Sequence, residues 1–148
     1  MAPDPMSAAF EEARAAGARG EVPIGAAIAR DGAIIASAGN RTIADNDPTA
    51  HAEILAIRAA GAALGSQRLA DCDLYVTLEP CAMCAGAISF ARLRRLYYAA
   101  SDAKGGAVEH GPRFFTQPTC HHAPDVYGGI RESEAAALLR AFFEARRN

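Results

Sequence analysis

Apolar positions along this chain change their spacing several times, and each change marks an element. From Ser7 to Ala16 the residues Ala9, Phe10, Ala13 and Ala16 recur three and four apart. Glu11 and Glu12 sit early, where a helix dipole favours negative charge, so a helix is predicted that Gly17 and Gly20 stop. Pro23–Ala29 and Ala33–Ala38 read as two strands split by Asp31-Gly32, a strong tight-hairpin signal. The polar stretch Gly39–Pro48 reads as a loop, and Thr49 is predicted to cap a helix running through Ile54, Leu55, Ile57 and Arg58 to about Gly61. Gly61–Asp71 is a connector. Leu74–Leu78 is a short apolar strand, Cys81 to about Arg92 a helix opened by Pro80, and Leu96–Ala100 another strand. That succession predicts a right-handed βαβ unit with parallel strands. Ser101–Gly129, with five glycines, three prolines and no clear period, reads as irregular. A loop of that length in a compact domain is usually functional or partly disordered. Glu134–Arg147 is predicted as a closing helix with Ala135, Leu138, Leu139, Phe142 and Phe143 on its buried side. The sum is one α/β domain over residues 1–148: a mixed sheet, a hairpin on one side, helices on both faces.

Composition narrows this picture. The 148 residues suffice for one domain with a proper core, although much of the 51% hydrophobic content is alanine. No apolar run approaches the roughly 20 residues of a membrane span, and Met1–Ser7 lacks a signal-peptide pattern. Four cysteines, two of them in Cys-x-x-Cys, fit a reducing compartment and a metal better than a disulfide framework, so the cytoplasm is expected. The net charge of −2 argues against coating nucleic acid by bulk charge. The charge is uneven, however. Residues 1–91 carry 6 basic and 11 acidic side chains, and residues 92–148 carry 9 basic and 6 acidic, so a phosphate-bearing partner would meet the C-terminal part first.

Candidate chemistry collects at Thr77–Cys84. At helical spacing Cys81 and Cys84 share a face, and a helix N-terminus favours the thiolate that binds a soft cation such as zinc. A catalytic zinc site needs three protein ligands and an open position. His51, at the start of the preceding helix, is the candidate third ligand, so that two helix starts would face one ion. Glu53 lies two residues on, about 200° around a helix, and should not ligate the same ion. A carboxylate beside the metal but outside its shell suits a proton shuttle between attacking water and a leaving nitrogen. The reaction class is hydrolytic removal of an amine from an electron-poor ring.

The motif His51-Ala52-Glu53, followed by Pro80-Cys81-x-x-Cys84, resembles the zinc-dependent cytidine/deoxycytidylate deaminase superfamily. Longer strings, Glu21–Ala26, Gly39–Arg41, Asp47–Glu53, Tyr75–Cys81, Met83–Ala87 and Asp102–Gly105, resemble its bacterial tRNA-editing adenosine deaminase branch, with coverage from about Glu21 to Gly106. The resemblance implies a three-layer α/β/α cytidine-deaminase-like fold with a central mixed five-stranded sheet. It implies one Zn2+ per subunit held by His51, Cys81 and Cys84, with Glu53 catalytic. It further implies a homodimer that converts the wobble adenosine of a tRNA anticodon stem-loop to inosine. Asn40, Ala52, Asp102 and Lys104 carry over as substrate contacts.

Competing readings stand beside these. Cys72, Cys120, His121 or His122 could close a structural zinc knuckle, which would make the chain a zinc-stabilised binding module. The same metal core could serve a free nucleobase or nucleoside deaminase of guanine or cytosine type. Phe114 and Phe115 could stack on bases, though packing under the loop is the simpler reading. Arg92, Arg94 and Arg95 could meet phosphates or form a solvated helix end. Cys72 reads as a buried small apolar side chain.

Overall fold

The computed structural model describes residues 4–146. Helix α1 (Pro5–Ala18) starts two residues before the periodic stretch, because the Asp4 carboxylate accepts from the Ser7 N–H at 3.3 Å and Pro5 fills the first turn. Its buried stripe is Met6, Ala9, Phe10, Ala13 and Ala16. Strands β1 (Gly25–Arg30) and β2 (Ala33–Gly39) form the predicted antiparallel hairpin. Asp31 and Gly32 both adopt positive φ, 50° and 79°, as the turn demands. At Gly25 the first helix lies directly on the strand: a Cβ there would stand 1.9 Å from the Ala9 carbonyl oxygen. Only glycine permits that approach.

Helix α2 (Ala52–Leu64), β3 (Cys72–Leu78), α3 (Ala82–Ala91), β4 (Arg95–Ala100), β5 (Asp125–Tyr127) and α4 (Glu132–Arg146) complete the chain. The sheet order is β2-β1-β3-β4-β5, with β1 antiparallel to β2 and β3, and β3, β4 and β5 parallel. Alternation sorts the strand side chains onto two faces. Ala26, Ile28, Leu74, Val76, Leu96 and Tyr98 pack with Ala52, Ala56 and Ala60 of α2 and Ile88 of α3. Ala27, Tyr75, Tyr97 and Ala99 pack with Met6, Ala9 and Phe10 of α1 and Ala135 of α4. This is the three-layer α/β/α arrangement around a mixed five-stranded sheet.

The structure corrects several local expectations. Thr49 does not cap α2: its N–H and hydroxyl both bond to the Asp47 carboxylate, closing a turn, and His51 takes the cap position. The helix also runs past Gly61 to Leu64, ending at Gly65 with φ 63°. Pro80 lies outside α3, whose cap is Cys81. The stretch read as irregular contains β5 and a 3-10 turn at Phe114–Thr116. In α4 only Ala135 is buried, Leu138 and Phe142 are half-covered, and Phe143 is exposed. Arg147, placed in that helix by its sequence, lies outside the described residues.

Candidate metal centre and active site

Two helix starts meet above the C-terminal end of β3. His51 and Cys81 are the cap residues of α2 and α3, both with extended backbone, and neither side chain caps its own helix. Both are free to point at a common spot. Cys84, one turn into α3, is fully buried and points there too. His51 Nδ1 stands 3.6 Å from each sulfur, and the three donor atoms lie within 4.8 Å of one another. A tetrahedral zinc ion with ordinary Zn–S and Zn–N lengths holds nitrogen and sulfur about 3.6 Å apart. The donor set therefore fits zinc in both chemistry and spacing, and it supplies three ligands, leaving a fourth position for solvent. Among the described residues it is the only such cluster.

The protons in this triad are unevenly held. The Cys84 and His51 hydrogen bonds lower the Cys81 thiol to about 4 despite its burial. Cys84 is pushed up by that same hydrogen bond to Cys81 and by burial. His51 is raised, chiefly by its bond to Cys81. Glu53, in the first turn of α2, is 4% exposed. Burial is the main reason its carboxyl is raised to about 7. A carboxyl of that pKa takes and returns protons readily at neutral pH.

A cleft of about 250 Å³ opens beside this group, lined by Val22, Ile24, Asn40, Thr42, His51, Ala52 and Glu53. A second, of about 150 Å³, adjoins it through Ile24, His51 and Glu53 and reaches Cys81, Asp102 and Gly105. Asn40 Oδ1 is buried and has no hydrogen-bond partner, the only such side-chain atom among the described residues. A buried acceptor left unpaired is costly, so one facing a cleft marks a place where a donor on a ligand would bind.

A model of the cytidine and deoxycytidylate deaminase zinc-binding region matches residues 3–100, the span that carries all three donors and Glu53. The chain belongs to this deaminase family. A tRNA-specific adenosine deaminase of Agrobacterium fabrum is 66% identical over 142 residues, 96% of this chain and 93% of that protein. A structure solved in work on A-to-I editing by tRNA:A34 deaminases at the wobble position superposes with a TM-score of 0.90 at 67% identity, over 91% of this chain and 98% of that one. A guanine deaminase of Nitrosomonas europaea shares the fold at a TM-score of 0.77 and 28% identity, covering 96% of this chain and 85% of that one.

Against the family pattern, His51, Cys81, Cys84, Glu53, Asn40 and Ala52 converge on one place, and Asp102 lines its second cleft. Lys104 does not: it is exposed and faces a groove along α4 with Leu139, Arg140, Phe143, Glu144 and Arg146. The knuckle candidates lie elsewhere. The Cys120 thiol donates to the His122 carbonyl at 3.1 Å, His122 Nε2 meets the Leu93 carbonyl at 2.7 Å, and Cys72 is buried at the start of β3. Arg94 forms two bonds to the Asp73 carboxylate, at 3.0 and 2.9 Å, at the opposite end of β3 from the cleft. Phe115 packs against the core under the loop.

Two buried acids escaped the sequence. Glu21 accepts from the Ile43 and Ala44 N–H groups at 3.1 and 2.7 Å, shaping the loop that carries Asn40 and Thr42. Glu79 does the same for the loop after β4. Burial pushes its carboxyl up, but the Asp102 N–H, the His110 imidazole and the Glu109 and Val108 N–H groups outweigh this and hold it low. The available signal was only that an acid inside an apolar run must find donors.

Proposed function

We propose that this protein is a zinc-dependent hydrolase that converts adenosine to inosine at the wobble position of tRNA, with water consumed and ammonia released. The observation carrying the reaction class is a buried Glu53 beside a three-donor metal site that opens onto a cleft. Bound zinc supplies a Lewis acid that makes water nucleophilic near neutral pH. The chain's own residues do the rest. Glu53 accepts a proton from the attacking water and delivers it to the ring nitrogen next to the reacting carbon. It then takes the second proton from the newly added hydroxyl and passes it to the amine, so that the C–N bond breaks, ammonia leaves and the carbonyl forms. Asn40 Oδ1 accepts from a donor on the bound nucleoside, and Val22, Ile24 and Ala52 provide apolar walls for the base. Asp102 borders the neighbouring cleft where the flanking strand would enter.

The similarity to tRNA-specific adenosine deaminases over nearly the whole chain supports RNA as substrate. So does the groove in which Lys104, Arg140 and Arg146 gather beside an exposed Phe143. A lone base has no phosphates for such a rim to meet. The free-base reading keeps one support, the shared fold with a guanine deaminase. Inosine formation and ammonia release, measured on an anticodon stem-loop RNA and on free adenosine, guanine and cytosine, separate the two. Turnover of a free base with unmodified RNA would overturn the proposal.

We also infer a homodimer through the outer face of α2 and α3. Phe90 is 76% exposed there and borders a hollow of about 350 Å³ with Ile54, Ile57 and Ala87. The four cysteines are all free thiols, which fits the cytoplasm. No helix among the described residues is long and apolar enough to cross a membrane.

A further inference from the structure

The segment after β4, from Ser101 to His110, forms turns rather than helix or strand, yet its backbone donors are well satisfied. Four of them converge on one side chain, and those of Lys104 and Gly105 turn back onto the Asp102 carboxylate. The Glu79 carboxylate accepts from the Asp102 N–H at 3.0 Å and from the Val108, Glu109 and His110 N–H groups at 3.1, 2.9 and 3.2 Å. It also meets His110 Nδ1 at 2.7 Å, and the carboxylate is wholly shielded from solvent. The Ala107 N–H bonds the carbonyl of Pro80 at 2.9 Å. The loop closes so tightly over this acid that a Cβ at Gly106 would stand 2.4 Å from the Asp102 carbonyl oxygen and 2.5–2.6 Å from the Glu79 carboxylate. Glu79 precedes the metal-binding Cys81 by two residues, and Asp102 and Gly105 form part of the cleft wall with it.

We propose that Glu79 is a positioning residue: it pins the Asp102–His110 loop to the short connection between β3 and α3 that leads into Cys81, and so sets substrate affinity without touching substrate. One carboxylate fixes both ends of the loop. Its geometry is therefore set by the same chain segment that places Cys81, and Asp102 stands at a defined height above the cleft. Without this anchor the loop would sample open forms, and only the closed fraction would bind. If closure falls to roughly one molecule in ten, the apparent affinity falls roughly tenfold, while bound complexes react as before.

The test compares zinc-loaded wild type, Glu79→Gln and Gly106→Ala. In the Glu79→Gln variant the new amide would set a donor against converging donors. In Gly106→Ala the added methyl would lever the loop off an intact Glu79. Amide hydrogen exchange is expected to speed up over 102–110 in both variants, with α2 and α3 still protected and zinc content unchanged. On an anticodon stem-loop RNA, a choice that rests on the function proposed above, KM is expected to rise roughly tenfold and kcat to stay within roughly threefold. The double variant should raise KM no further than the worse single one, since both release the same loop. Unchanged exchange in the loop, faster exchange with unchanged KM, or a fall in kcat at constant KM would each overturn the proposal. If Glu79→Gln does not fold, Gly106→Ala decides alone. If wild type leaves the RNA unmodified, the substrate reading fails, and hydrogen exchange still decides whether Glu79 holds the loop.

Discussion

Glu53 has two opposed effects, and replacing it by glutamine separates them. In the metal-free chain, burial raises its carboxyl from an ordinary 4.5 to about 7. At about 1.4 kcal/mol for each tenfold change in proton affinity, this amounts to about 3 kcal/mol. The sign follows from which state holds the proton. Below pH 4.5 the acid is neutral in both the folded and the unfolded chain. Between pH 4.5 and 7 the unfolded chain ionises first, so wild-type stability falls as pH rises and levels off above about 7. A glutamine side chain has nearly the same shape and no charge. Denaturant unfolding of the metal-stripped proteins should therefore give equal stabilities near pH 4.5. The Glu53→Gln variant should be more stable by up to about 3 kcal/mol at about pH 8, worth of the order of 10 °C in Tm. The contributions of Cys81 and His51, which also titrate, largely cancel in the difference between the two proteins. Deamination should nevertheless fall by about 10²–10⁴-fold or more, with zinc retained, because the proton carrier is lost and the ligands are not. A stability difference that does not vary across this pH range would refute the claim that burial perturbs this acid. Undiminished activity would refute its role.

Three further outcomes follow from the same geometry. Zinc uptake at about pH 7 should release the Cys84 proton and part of the raised His51 proton but little from Cys81, so affinity should climb with pH; titration calorimetry in buffers of different ionisation enthalpy counts the protons, and pH-independent affinity would contradict it. Asn40→Ala removes a buried oxygen that has no partner in the free protein, so stability should hold or rise slightly while KM rises by roughly 10–100-fold; a loss of stability with unchanged KM would mean the side chain is structural. Phe90→Asp should shift the protein toward monomer in sedimentation experiments, and a wild type that is already monomeric at micromolar concentration would remove the dimer.

The ligands were legible in the sequence because metal chemistry restricts residue type and spacing together. His51, Cys81 and Cys84 needed only a fold that brings two helix starts side by side. The hairpin was legible from Asp31-Gly32 because few dipeptides tolerate two successive positive φ values. Strand β5 was not: it has three residues between a proline and two glycines, too few for alternation to register, and it is held by pairing with β4 and by Tyr127 stacking on Tyr97 at 5.0 Å. Thr49 misled because a good cap residue also serves an Asx turn, and Asp47 lay within reach. The phenylalanines of α4 misled because periodicity shows that a helix has an apolar face, not whether anything covers it. Glu21 and Glu79 were invisible as anchors, since nearly all their partners are backbone N–H groups of loops far along the chain, the His110 imidazole being the exception.

These two anchors bear on how such a protein could be retargeted. The metal ligands and Glu53 reside on helices packed against the sheet, whereas each cleft rim is a loop pinned to the framework by a buried carboxylate and a few backbone bonds. Residues 40–48 and 102–110 could therefore be rewritten as exchangeable cassettes, keeping Glu21 and Glu79 as the pegs and Gly106 as the clearance for one of them. A new nucleobase or strand context would then be reached by swapping what is clipped on, and the catalytic centre would carry over untouched.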